Sequence, residues 1–275
     1  MAVLDVRNLT MSFADKKLYE DASFQLEKHE HMGIVGQNGA GKSTLIKILI
    51  GKELPVAGDI KWQKNTKIGY LDQYVDIPQG MTLIQFLHTA FQELYDVNEQ
   101  MNELYARYAT EMDDRLLERA GRLQERLDAA DFYEIETKIE RVMNGLGLND
   151  IGKDHVVSEM SGGQRSKIIL AKMLLENPDV ILLDEPTNYL DTAHIEWLIE
   201  YLNDFDGAAM IISHDYDFLE RVTNTICDVA FGKITKYRGS FKQAMRQKAE
   251  RKETQEREYE KQQEVIEKAE RFIRK

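Results

Sequence analysis

The segment Gly36–Ser43 (Gly-Gln-Asn-Gly-Ala-Gly-Lys-Ser) follows the apolar stretch His31–Gly36 and leads into a run with helical character, Lys42–Leu49. It fits the pattern G-x-x-x-x-G-K-[ST], in which glycines let successive N–H groups point inward around an anion. The positive end of the following helix faces the same anion. The segment therefore predicts a nucleotide-phosphate loop, with Lys42 bridging the outer phosphates and Ser43 holding Mg²⁺.

A second segment, Val180–Glu185, is a short apolar run that ends in two acids and is bounded by Pro178. Its length and composition favour a buried strand rather than a helix. Ligands of open α/β sheets gather at the carboxyl ends of such strands. We expect Asp184 to contact Mg²⁺ through water and Glu185 to act as the base that polarises the attacking water. A solvated acidic turn is the weaker alternative.

Composition indicates an ordinary globular chain of 275 residues, 43% of them hydrophobic. Cys227 is the one cysteine of the sequence, which excludes a disulfide within the chain. We find no apolar run long enough to span a bilayer and no N-terminal signal peptide, so the cytoplasm is the predicted compartment and no membrane partner is expected.

The formal charge of −12 argues against a nucleic-acid surface over most of the chain. The segment 242–275 differs, because its 11 basic and 8 acidic residues leave a balance of +3. A basic extension on an acidic body hints at a polyanionic partner, although a well-solvated helix is the better explanation from charge alone.

Strand and helix patterns follow one another along the chain. Strands are predicted before the phosphate loop and again near residues 58–71. Helical spacing dominates residues 82–147, strand–helix alternation resumes after Ser161, and one long charged helix follows Phe241. That helix has no stop signal, so we expect the chain to end within a helical linker. Phe13 lies in a polar stretch, where its chemistry leaves adenine stacking and an ordinary core position open.

Together these segments resemble the nucleotide-binding domain of ATP-binding-cassette proteins. The phosphate loop, Gln73, the segment Met160–Gln164, Asp184–Glu185 and His214 occur in that family's order. The resemblance implies an α/β fold of the P-loop NTPase type over residues 1–240. This domain would contain an antiparallel β subdomain and an inserted helical subdomain or arm at about 82–147, and a truncated linker helix would follow at 241–275.

The resemblance also implies a mechanism and its residues. Two cassettes close head to tail over two ATP molecules, each held by the phosphate loop of one cassette and the Ser-Gly-Gly-Gln segment of the other. Glu185, His214 and Gln73 would be catalytic, and Ser43, Gln73 and Asp184 would hold Mg²⁺. The nucleotide contacts implied are Phe13, Gly36, Gln37, Asn38, Gly39, Ala40, Gly41, Lys42, Ser43, Thr44, Ser161, Gly162, Gly163, Gln164 and Asp191.

The finer resemblance is to the ABC-F subfamily, whose members act on ribosomes. The segment Asp184–Asp191 reads Asp-Glu-Pro-Thr-Asn-Tyr-Leu-Asp and is similar to that subfamily's Asp-Glu-Pro-Thr-Asn-His-Leu-Asp string, with Tyr189 as the departure. Tyr237–Phe241 is similar to the end of the first cassette, and Lys261–Ile266 is similar to the interdomain linker. The chain thus looks like an N-terminal half with weak ATPase activity of its own. Its implied partners are a second cassette, or another copy of itself, and ribosomal RNA and tRNA.

Two other interpretations stay open. The same cassette could be the ATP-binding motor subunit of a membrane transporter, docked on membrane helices through its helical subdomain. A DNA-repair or chromosome-associated cassette is a third possibility, but a single cysteine cannot build the zinc site that such proteins often carry.

Overall fold

The computed structural model of the chain describes residues 1–13, 16–71 and 78–273. The chain divides into two compact units. The first unit holds residues 1–66, 183–185 and 205–275, and the second holds residues 67–182 and 186–204.

An antiparallel sheet of three strands lies in the first unit, within the described part of the chain. Its strand β1 (Ala2–Phe13) pairs with β2 (Lys16–Glu27) on one side and with β4 (Ala57–Trp62) on the other. The strands β1 and β2, of 12 residues each, lie before the phosphate loop, where the sequence predicts strands. Register shifts let their ladder continue past the residues that alternate cleanly between apolar and polar.

The first unit also contains the strands that carry the phosphate loop. Strand β3 (His31–Gly36) lies parallel to and between β7 (Ala208–Ile212) and β8 (Thr225–Ala230). Strand β9 (Lys233–Arg238) returns antiparallel to β8. β3 and β7 are almost entirely buried, as expected for parallel strands covered on both faces.

Three described helices belong to the first unit. α1 (Lys42–Leu49) follows β3 and buries Leu45, Ile46, Ile48 and Leu49. α8 (Tyr216–Val222) follows β7, and α9 (Phe241–Ile273) follows β9. α9 confirms the prediction of one long helix after Phe241.

The second unit is mostly helical. Its strand β5 (Ile68–Tyr70) pairs parallel with β6 (Val180–Asp184), whose last two residues belong to the first unit. The described strands of this sheet follow the order β5-β6-β7-β3-β8-β9. The helices of the second unit are α2 (Leu83–His88), α3 (Gln92–Glu111), α4 (Asp114–Ala129), α5 (Ile135–Gly145), α6 (Gly162–Leu175) and α7 (Thr192–Asp204).

The helices α3 and α4 form an antiparallel hairpin within the region predicted to be the inserted arm. The hairpin turns at Met112, which has a φ of 50°, and the Asp113 side chain caps α4 by accepting the N–H of Arg115. The two helices share a small core of their own, made of Val97, Met101, Leu104, Leu116, Ala120 and Leu127. None of the helices in the described ranges is both long and apolar enough to cross a membrane.

Candidate active site

The phosphate loop joins β3 to α1, and its surroundings require two of its glycines. A Cβ atom at Gly36 would lie 2.4 Å from the carbonyl oxygen of Val229, its neighbour on β8. Gly41 is the N-cap of α1 with a φ of 102°, and it offers no side chain to cap the helix. The first N–H groups of α1 therefore receive no side-chain cap from Gly41, and phosphate binding there stays a prediction.

Lys42 is held against the loop that contains it. Its Nζ donates hydrogen bonds to the carbonyl oxygens of Gly36 at 2.9 Å and Gln37 at 3.2 Å. The residue is only 8% exposed. An ammonium group has three donors, so two hold the side chain in place and one is left for a phosphate oxygen. Ser43 is exposed and Thr44 is half-buried at the start of α1.

Glu185 and His214 lie together where β6 and β7 end. His214 Nε2 is 3.4 Å from Glu185 Oε1, and the backbone N–H of His214 donates to Oε2 at 3.2 Å. Glu185 has a φ of 51°, and its own N–H donates to the carbonyl oxygen of Ile212 at 2.9 Å. A left-handed backbone at a non-glycine residue is strained, and such residues cluster at functional sites. The geometry fixes a half-buried carboxylate in one orientation.

The residues predicted to hold Mg²⁺ have suitable chemistry. Ser43 offers an exposed hydroxyl, and Asp184 offers a half-buried carboxylate at the end of β6; both belong to the first unit. Hard oxygen donors suit Mg²⁺, which usually takes one or two protein ligands and completes its shell with water and phosphate. Over the described ranges, no group of three or more His, Cys, Asp or Glu side chains could hold a metal.

The Ser-Gly-Gly-Gln segment begins helix α6 in the second unit. The Ser161 hydroxyl accepts the N–H of Gln164 at 3.3 Å, and the Gln164 side chain accepts the N–H of Ser161 at 3.0 Å. This reciprocal capping box fixes the helix start. Gly162 and Gly163 present their N–H groups without side chains, and a Cβ atom at Gly162 would meet nothing within 4 Å. The helix end is therefore open to an anion.

Asp191 lies just before α7, also in the second unit. Its Oδ1 accepts the backbone N–H of His194 at 3.1 Å, and this hydrogen bond is the main cause that lowers the pKa of Asp191 below its ordinary value of 3.8. Nearby, the Tyr189 ring lies 3.5 Å from the position of a Cβ atom at Gly163. Tyr189, the departure from the ABC-F string, therefore packs beside the Ser-Gly-Gly-Gln segment.

Two predicted site residues remain, Phe13 and Gln73. Phe13 is the last residue of β1 and is 47% exposed, so adenine stacking by Phe13 stays a prediction. Gln73 lies outside the described residues. The structure brings Glu185 and His214 into contact, and the phosphate loop belongs to the same unit, whereas Ser161–Gln164 and Asp191 belong to the second unit.

A cavity of about 270 Å³ beside the phosphate loop was not predicted. It is lined by residues 36–40 of the loop, residues 16–18 of β2, residues 228–230 of β8, the turn at 231–232 and Lys248 from α9. One signal in the sequence could have indicated it: Phe231-Gly232 occupies the position of a two-residue hairpin turn, where Asn-Gly is the usual pair.

The comparison with protein families agrees with this fold and site. A family model described as ABC transporter matches residues 19–188, and a second model of the same description matches residues 227–275. The first match covers more than half of the chain. The chain belongs to the ABC transporter family and is an ATP-binding cassette of that family. Cassettes of this family bind ATP with Mg²⁺, hydrolyse it, and act as pairs.

Several curated relatives are similar over most of the chain. The chain is 42% identical to the uncharacterized ABC transporter ATP-binding protein YfmM of Bacillus subtilis (strain 168), covering 99% of the chain and 53% of that protein. It is 35% identical to ABC transporter F family member 5 of Arabidopsis thaliana, covering 95% of the chain and 39% of that protein. It is 32% identical to the energy-dependent translational throttle protein EttA of Mycobacterium tuberculosis (strain ATCC 25618 / H37Rv), covering 90% and 44%. The chain thus spans about half or less of these relatives.

Solved structures confirm the predicted fold. An ATP-binding subunit of an ABC transporter superposes with a TM-score of 0.65 at 21% identity, covering 90% of this chain and 93% of that one. A chain from the complex of the archaeal ribosomal stalk protein aP1 and the archaeal ribosome recycling factor aABCE1 superposes with a TM-score of 0.62 at 22% identity, covering 89% of this chain and 41% of that one. At this identity the likeness concerns the fold alone.

Proposed function

We propose that this cassette binds ATP through its phosphate loop and hydrolyses it with Glu185 as the general base, as the N-terminal half of a ribosome-associated ATPase of the ABC-F type. The observation that carries the hydrolytic role is the contact between Glu185 and His214. It places an oriented carboxylate in the same unit as the loop that contains Lys42.

The substrate's triphosphate binds to the N–H groups of the loop and to the first turn of α1. Lys42 adds a charge-assisted hydrogen bond to a phosphate oxygen with its remaining donor. Ser43 and Asp184 would hold Mg²⁺, which would supply positive charge to the phosphates. These residues position the γ-phosphate and lower the repulsion that a nucleophile meets.

Glu185 orients a water molecule and accepts its proton as the oxygen attacks the γ-phosphorus. The bond from that phosphorus to the bridging oxygen breaks, and the products are ADP and inorganic phosphate. The backbone N–H of His214 holds Oε2 at 3.2 Å, and we assign acceptance of the proton to Oε1. The imidazole of His214, close to Oε1, steadies both the γ-phosphate and the base.

The second half of each site comes from another cassette. In this arrangement the open helix end at Ser161–Gln164 binds the γ-phosphate held by the partner cassette, and Asp191 transmits closure across the interface. The capping box supports the assignment, because it satisfies the helix start with Ser161 and Gln164 while leaving Gly162 and Gly163 uncovered. In a protein about twice this length the partner is the second half, and an isolated half pairs weakly with itself.

Ribosome association rests on different observations. Relatives over 90% or more of the chain include an F family member and a protein named as a translational throttle. The basic balance of +3 in residues 242–275 suits a polyanionic partner such as rRNA or tRNA. ATP-driven closure would then set α9 and the chain beyond it near tRNA, and hydrolysis would release it.

Cosedimentation of the whole protein with ribosomes tests this role. In ATP, the Glu185→Gln protein should remain in the ribosome pellet, because closure occurs and hydrolysis does not. The matched Lys42→Ala protein should stay in the supernatant, because its cassette does not hold ATP. Ribosome binding by neither protein would contradict the proposal.

A motor subunit of a membrane transporter is the second candidate. The name of the 42% identical relative, an ABC transporter ATP-binding protein, favours it. Copurification of an integral membrane protein with the Glu185→Gln protein, instead of ribosomes, would support this candidate over the first.

A further inference from the structure

The cavity beside the phosphate loop has one aromatic side chain among the described residues that line it, Phe231. The loop at residues 36–40 lines this cavity together with the end of β8 and the turn that follows it, at residues 228–232. Phe13, the aromatic residue predicted to stack on adenine, is not among the lining residues. The structure therefore presents a second aromatic candidate close to the phosphate loop.

Phe231 has a strained backbone conformation that packing within the described chain does not explain. Its φ is 50° and that of Gly232 is 73°, so both residues of this two-residue turn are left-handed. Such turns favour Asn or Asp followed by Gly, because a bulky side chain is strained there. The Phe231 side chain is also 99% exposed, so no packing within the described chain compensates for the strain. A strained, exposed aromatic residue beside a ligand loop indicates a binding role.

The turn is held firmly beside the loop. Val229 of β8 lies opposite Gly36 of β3 in the parallel ladder, two residues before Phe231. On the other side, the N–H of Glu20 donates to the carbonyl oxygen of Gly232 at 2.9 Å, which ties the turn to β2. The backbone of Phe231 is therefore fixed next to the phosphate loop.

The charges around the cavity suit a nucleotide. The Lys16 Nζ lies 3.1 Å from the position of a Cβ atom at Gly39, so an ammonium group stands at the loop. Lys248 is paired with the one carboxylate among the lining residues, Asp228. An ammonium group at the loop and an aromatic ring at the same cavity match a ligand made of phosphates and a flat base.

We propose that Phe231 supplies a stacking face for the purine base of the nucleotide whose triphosphate binds at Gly36–Ser43, and that Lys16 adds charge at the phosphate end. This inference rests on the proposed binding of the triphosphate by the phosphate loop. Phe231 is then a positioning residue for the base, in addition to the predicted role of Phe13.

Substitution of Phe231 by asparagine distinguishes a role in binding the base from a role in stabilising the fold. Asn is favoured in this turn, so Phe231→Asn should fold at least as well as the parent, with an equal or higher melting temperature. Loss of one stacked aromatic face should weaken ATP binding by about 5- to 150-fold. Phe231→Trp keeps a π-face and should bind ATP within a few fold of the parent.

The measurement is isothermal titration calorimetry of the whole protein in a Glu185→Gln background, with Mg²⁺ and either ATP or inorganic tripolyphosphate. Binding heat that is present in the parent and lost in Lys42→Ala comes from this site. If the parent shows no binding heat that depends on Lys42, the proposed function itself is contradicted. Phe231→Asn should lose affinity for ATP and keep the parent's affinity for tripolyphosphate. Equal ATP affinity in Phe231→Asn and the parent, or an equal loss for both ligands, would overturn the inference.

Discussion

Lys248 in the helix α9 forms an ion pair with Asp228 in the strand β8, with 2.8 Å between Nζ and Oδ2. The same Nζ donates to Oδ1 at 2.9 Å, and the Asp228 side chain is only 6% exposed. Asp228 immediately precedes Val229, the neighbour of Gly36 in the phosphate loop. The pair therefore links the proposed linker helix to the strand beside the nucleotide site.

The substitution Lys248→Met should lower the free energy of unfolding by about 1–3 kcal/mol, because it leaves a buried carboxylate without its charged donor. Urea denaturation followed by circular dichroism measures the loss. Lys252→Met is the matched control on the same helix. Lys252 pairs with Glu256 on an exposed face, at 3.6 Å, and such pairs contribute only about 0.3–0.5 kcal/mol. Equal losses of the free energy of unfolding in the two variants would show that the ion pair with Asp228 contributes no more than an exposed pair.

The substitution Tyr19→Phe should stabilise the folded protein. Its ring is fully buried under Gly41, and its hydroxyl has no hydrogen-bond partner in the described part of the structure. Burial without a partner disfavours the hydroxyl, so Tyr19→Phe should raise the free energy of unfolding by about 1 kcal/mol. The melting temperature measures the change.

Tyr201→Phe is the control for that prediction, because the Tyr201 hydroxyl donates to the carbonyl oxygen of Leu174 at 2.9 Å. Its removal should lower the free energy of unfolding by about 1 kcal/mol. A loss of stability in both variants would mean that the Tyr19 hydroxyl has a partner.

Acid should destabilise the cassette through His31. Burial lowers the pKa of this imidazole below its ordinary value of 6.5, although its Nδ1 makes a 3.1 Å hydrogen bond with the carbonyl oxygen of Val222. The unfolded chain then binds more protons than the folded chain once the pH falls below about 6.5. The free energy of unfolding should therefore decrease between about pH 6.5 and the lowered pKa, by at most about 1.4 kcal/mol per pH unit.

Urea denaturation at several pH values in this window measures the slope. The variant His31→Gln should be less stable at neutral pH but should show a smaller loss on acidification than the parent. An identical slope in the two proteins would assign the acid sensitivity to other groups.

Local patterns in the sequence were enough to predict the loop at Gly36–Ser43, the helix that follows Ser161 and the long helix after Phe241. Each depends on residues close together in the chain, such as the capping pair Ser161 and Gln164. The contacts of Glu185 with His214 could be expected only from the family resemblance. They form at the ends of β6 and β7, which are distant in sequence and adjacent in the sheet.

The features that the sequence did not predict come from tertiary structure. The pair of Asp228 and Lys248 joins a strand to a helix 20 residues later in the chain. The full lengths of β1 and β2 depend on pairing across register shifts rather than on alternation of apolar residues. The exposure of Phe231 depends on the turn at the tip of a hairpin, and a lone phenylalanine in a sequence is ordinarily a core residue.

The rate of ATP hydrolysis by the Glu185→Gln protein, measured beside its ATP affinity, tests the proposed chemistry most directly. We predict hydrolysis slower by about 10²- to 10⁴-fold with ATP still bound, because only proton acceptance from the water is lost. Lys42→Ala should instead lose ATP binding, since the phosphate charge loses its partner. Hydrolysis at the parent rate by the Glu185→Gln protein would contradict the assignment of the base.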